Sequence, residues 1–78
     1  MSDIFISATF RAIGERICAE RKRACITSGA LATLTHLPIG RIELGLDEPT
    51  LTGLITIAQQ IGCPVAWLLP ESENEEQP

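Results

Sequence analysis

A chain of 78 residues with 45% hydrophobic content can close one small core and no second one, and domains of this size are marginal enough that many dimerise. The formal charge of −4 does not exclude nucleic acid, because four of the ten acids are Glu71, Glu73, Glu75 and Glu76; residues 1–70 hold six acids against six Lys/Arg. The apolar residues are mainly Ile, Leu and Ala, with two Phe, one Trp and no Tyr, which predicts an all-α domain over 1–70 rather than a β-sandwich.

The N-terminal Met1-Ser2-Asp3 is acidic and the apolar stretch after it is broken by Arg11, so no signal peptide is expected. No run approaches the roughly 18 apolar residues of a membrane span. A cytoplasmic location with no membrane contact is the expectation. Three cysteines without tight pairing fit free thiols better than a disulfide framework.

The first helix is predicted from about Ser7 to Ala24, with Phe10, Ile13, Ile17 and Ala24 on its apolar face. Five of the six cations, Arg11, Arg16, Arg21, Lys22 and Arg23, fall within it. Thr27 or Ser28 can cap a second helix running through Leu31, Ala32 and Leu34, because a hydroxyl there accepts an unpaired first-turn amide. A short third segment lies between Pro38, suited to a first helical turn, and Gly45, suited to a left-handed C-terminus. Ile39 and Ile42 share its inner face.

Thr50 caps a fourth helix in which Leu51, Leu54, Ile55, Ala58 and Ile61 make an apolar stripe that Gly62 ends. Pro64 opens a last segment in which Val65, Trp67, Leu68 and Leu69 give one or two turns before Pro70. Residues 71–78 read as an acidic disordered tail.

The joint register of Ile13-Gly14-Glu15-Arg16-Ile17, Arg21, Ala24, Leu31-Ala32, Ile39, Ile42-Glu43-Leu44-Gly45, Pro49-Thr50-Leu51, Leu54, Ile57-Ala58, Ile61-Gly62 and Trp67-Leu68-Leu69 resembles the Cro/repressor (XRE-like) family. That resemblance implies a five-helix, lambda-repressor-like helix-turn-helix domain that binds double-stranded DNA as a homodimer. It also implies that Glu43 pairs with a first-helix arginine, for which Arg16 is the expected partner. The departures from it are that Thr33 to Arg41 is about three residues shorter than the family has there, that Ser28 stands where a phosphate-contacting Gln is common, and that the turn glycine is missing.

Two placements of the shortening remain open. If it falls at the start of the third helix, Leu37 fills the apolar turn position and Pro38 begins a helix with only Ile39, Gly40 and Arg41 ahead of Ile42. If it falls at the end of the second, Thr35 becomes the N-cap and His36, Leu37 and Gly40 face DNA. Either way Arg41 is the one strong guanine reader. The DNA-contacting set is then Thr27, Ser28, Thr35, His36, Gly40, Arg41 and Arg23, with Trp67, Leu68 and Leu69 as a dimer surface. The rival expectation is a protein-interaction module with a degenerate helix-turn-helix, an antirepressor, inhibitor or assembly subunit that binds a second regulatory protein. Cys18, Cys25, His36 and Cys63 match no compact zinc spacing, and no catalytic constellation is evident, so no metal, cofactor or enzymatic activity is expected.

Overall fold

The computed structural model describes residues 2–70, with side chains from residue 9 onward, and the acidic tail expected at 71–78 lies outside the described residues. The described chain is all-α: α1 Ser2–Arg23, α2 Ser28–Thr35, α3 Ile39–Glu43, α4 Leu51–Ile61, and a single 3-10 turn, Val65–Leu68. The fifth helix expected after Pro64 is that 3-10 turn, too short for an α-helical core of its own.

Each element sends one fully buried side chain to the centre: Ile17 from α1, Leu31 from α2, Ile39 from α3, Ile57 from α4 and Leu68 from the 3-10 turn. Burial of one such aliphatic side chain stabilises by about 1.5–3 kcal/mol relative to leaving it exposed, so every element is anchored by the same cluster. α3 packs on α1 and α2, α4 on α2, and the 3-10 turn closes against both α1 and α4.

The helix ends follow their sequence signals. Thr27 Oγ1 accepts from the Ala30 amide at 3.0 Å and Thr50 Oγ1 from the Gly53 amide at 2.9 Å, giving α2 and α4 their N-caps. α1 ends earlier than Ala24: the Ile26 amide donates to the Arg21 carbonyl and the Cys25 amide to the Lys22 carbonyl, with Cys25 left-handed at φ 61°. Ala24 is therefore exposed beyond the helix, and Ile26 takes up contact with the core in its place.

The stripe of α4 is rotated from its expected position. Leu54, Ala58 and partly buried Ile61 face inward, joined by Ile57, whereas Leu51 is 68% exposed and Ile55 40%. α4 has apolar residues on more than one face, and packing against α2 and the 3-10 turn selects the one that is covered.

Candidate functional site

Residues 28–43 fold as α2, a three-residue turn and α3. Thr35 is buried in the last turn of α2, where its hydroxyl donates to the Leu31 carbonyl at 2.8 Å and accepts from the Leu37 amide at 3.3 Å. It is neither an N-cap of α3 nor open to a ligand. That corrects its place among the expected contacts: a buried side chain whose hydroxyl is satisfied within its own turn has no reason to face water.

His36 then adopts the left-handed conformation at φ 60°, with its amide donating to the Ala32 carbonyl at 2.7 Å. Pro38 follows with φ −79° and ψ 75°, an inverse γ-turn closed by the Ile39 amide on the Leu37 carbonyl at 2.8 Å. These two tight conformations join α2 to α3 within three residues. Leu37 is the apolar turn residue, half-buried, with Cδ1 lying 3.4 Å from where a Cβ on Gly53 would stand.

α3 is held from behind. A Cβ on Gly14 would lie 2.6 Å from the Glu43 carbonyl oxygen, and the Ile42 carbonyl is closer still, so only glycine lets α1 and α3 approach this far. Two positions further round the same face of α1, Arg21 reaches Glu43 through Nε–Oε2 at 2.6 Å and Nη2–Oε1 at 3.1 Å, and donates from Nη1 to the Ile26 carbonyl at 2.9 Å. Both side chains are largely buried, and the Glu43 carboxylate raises the Arg21 guanidinium above its ordinary value, outweighing the opposing effect of burial.

Arg16 is thus not the partner of Glu43. Gly14, Cys18 and Arg21 are spaced i, i+4 and i+7 and share the face on which α3 sits, while Arg16 projects about 200° away from Gly14 around the helix. The spacing to Gly14 was the signal that would have identified Arg21.

On the outer side, Gly40, Arg41 and His36 are exposed, and no atom lies within 4 Å of where a Cβ on Gly29 or Gly40 would stand. Arg41 is bent back to Asp47, Nε–Oδ1 3.0 Å, an exposed ion pair across the turn that Gly45 makes at φ 78°. Arg23 is 75% exposed and 3.5 Å from Glu20. Thr27 is exposed and Ser28 half-buried; the first turn of α2 carries no acid. Leu34, Leu44 and Leu46 are also exposed, at 53%, 67% and 60%, and sequence patterning did not anticipate this.

The three residues expected to form a dimer surface separate. Leu68 is wholly inside the core because the 3-10 turn must supply one plug between α1 and α4; Trp67 is 51% exposed and Leu69 39%. Burial raises the Cys63 thiol, with the Glu20 carboxylate adding to the effect. Among the described residues no group of three His, Cys, Asp or Glu side chains is placed to hold a metal ion, and no helix is long and apolar enough to cross a membrane. Comparison with protein-family models, curated proteins and solved structures finds no match for this chain.

Proposed function

We propose that this chain is a small transcriptional regulator that binds operator DNA as a homodimer, with α2, the His36–Pro38 turn and α3 forming a compressed, lambda-repressor-like helix-turn-helix. The observation that carries this reading is that α3 is rigidly seated from behind by Gly14 and Arg21 while its other side offers only Gly40 and Arg41. A five-residue helix has little stability of its own, and such anchoring is what a reading element needs in order to enter a groove at a fixed angle.

Arg41 reads guanine in this proposal, and the Asp47 pair does not prevent it. An exposed ion pair contributes about 0–1 kcal/mol, whereas a bidentate arginine on guanine supplies about 1–3 kcal/mol of discrimination. The amides of Ser28 and Gly29, unpaired at the start of α2, meet phosphate together with the Thr27 edge, and Arg23 adds charge alongside. His36 sits at the turn between them.

A second reading, a protein-interaction module that binds another regulator, is favoured by the exposed Leu34, Leu44 and Leu46. Titration of a random duplex and of selected sites across a salt series separates the two. DNA binding requires an affinity that falls steeply with salt; Arg41→Ala then relaxes sequence preference and Arg23→Ala weakens all sequences alike. No binding at low salt refutes the DNA reading and leaves the interaction module.

A further inference from the structure

Residues 49–70, which make up α4, the 3-10 turn and their connections, contain no Asp, Glu, Lys, Arg or His, although 21% of the whole chain is charged. This is not a buried segment. Leu51, Thr52, Ile55, Gln59 and Gln60 of α4 are all exposed. A solvent-facing helix normally carries charge on its outer side, and α4 instead carries a ridge of Leu51, Ile55 and Gln59 at i, i+4 and i+8, with Thr52 beside it.

We propose that this ridge is where two copies of the chain meet, with the two α4 helices antiparallel about a two-fold axis passing Ile55. A two-fold contact places each residue near the axis against itself, so any charge there would face its own copy and repel it. A face that excludes both signs is suited to self-association, whereas a charged protein surface would call for charge of the opposite sign. Antiparallel pairing sets Ile55 against Ile55 of the partner copy and Leu51 against the partner's Gln59, covering both exposed aliphatic side chains along a span of about 12 Å. Trp67 and Leu69 lie outside this contact.

The proposal assigns a surface to the homodimer named above, and its test reads mass rather than DNA, so the two readings fail separately. Sedimentation equilibrium of the full chain between about 1 µM and 1 mM is expected to show a reversible dimer. Ile55→Glu and Ile55→Lys are each expected to weaken association at least tenfold, and an equimolar mixture of the two to restore a dimer with one copy of each. Gln59→Glu, at an exposed position outside the hydrophobic core, is expected to weaken it as well. Unchanged melting of the variants in dilute solution confirms that folding is intact. A chain monomeric at every concentration overturns the proposal, as its own terminal segments then cover the ridge or it stays bare. Variants that remain dimeric, or a mixture that does not reassociate, overturn it in favour of another face such as that around Trp67.

Discussion

Replacing Gly14 with alanine tests the seating of α3. The added Cβ would stand 2.6 Å from the Glu43 carbonyl oxygen and 2.8 Å from its carbon, and closer still to the Ile42 carbonyl, all of them backbone atoms that cannot rotate away. α3 must therefore move outward by several tenths of an ångström, and the 2.6 and 3.1 Å bonds from Arg21 to Glu43 lengthen with it. Overpacking of this kind costs about 1–3 kcal/mol, while alanine in place of a mid-helix glycine returns about 1 kcal/mol of helix propensity. With the weakened ion pair added, the net loss is about 2 kcal/mol, which for a domain of this size lowers Tm by roughly 8–16 °C. Thermal denaturation followed by circular dichroism measures it, with Gly29→Ala as the control: nothing lies within 4 Å of that Cβ, so the same substitution there holds or raises Tm. A Gly14→Ala protein that melts at or above the wild-type temperature would refute the close approach of α1 and α3.

Arg21→Lys keeps the charge and loses the fork that spans both Glu43 oxygens and the Ile26 carbonyl; urea unfolding should show a loss of about 1–3 kcal/mol, against less than half that for Arg16→Lys. Because the folded pKa of Arg21 is raised, its contribution is complete below the ordinary arginine value and is lost only above it, so the Arg21→Lys deficit should be constant from pH 6 to pH 9. Thr50→Ala removes the α4 cap and should cost about 1 kcal/mol by the same assay, and Thr50→Ser should restore most of it. Among the thiols, Cys25 is exposed and should react first with iodoacetamide, as read by peptide mass. Cys63 should react slowest, and with its folded pKa raised, the stability it contributes is held below the ordinary thiol pKa and declines as pH rises beyond it.

Much of this architecture is local and was legible in the residues. Thr27, Thr50 and Gly62 mark helix ends because capping joins a side chain or a left-handed backbone to amides and carbonyls only a few positions away. Ile13 and Ile17 of α1 and Ile39 and Ile42 of α3 lie inside because each pair shares one face at helical spacing.

Tertiary packing decided the rest, wherever the sequence presented near-equivalent choices. α4 is apolar on adjoining faces, and only its neighbours determine that Ile57 is covered and Ile55 is not. Several first-helix arginines had the right charge for Glu43, and the one chosen is the one on the face that Gly14 opens to α3. Thr35 had a hydroxyl fit for a cap, yet its position over the core and the carbonyl of Leu31 turned it inward. Helix boundaries and burial periodicity are set by neighbours along the chain, which the amino-acid sequence displays directly. Which of two similar faces or side chains is used depends on the angle at which whole helices meet, and that is fixed by the packing of all five elements around one core.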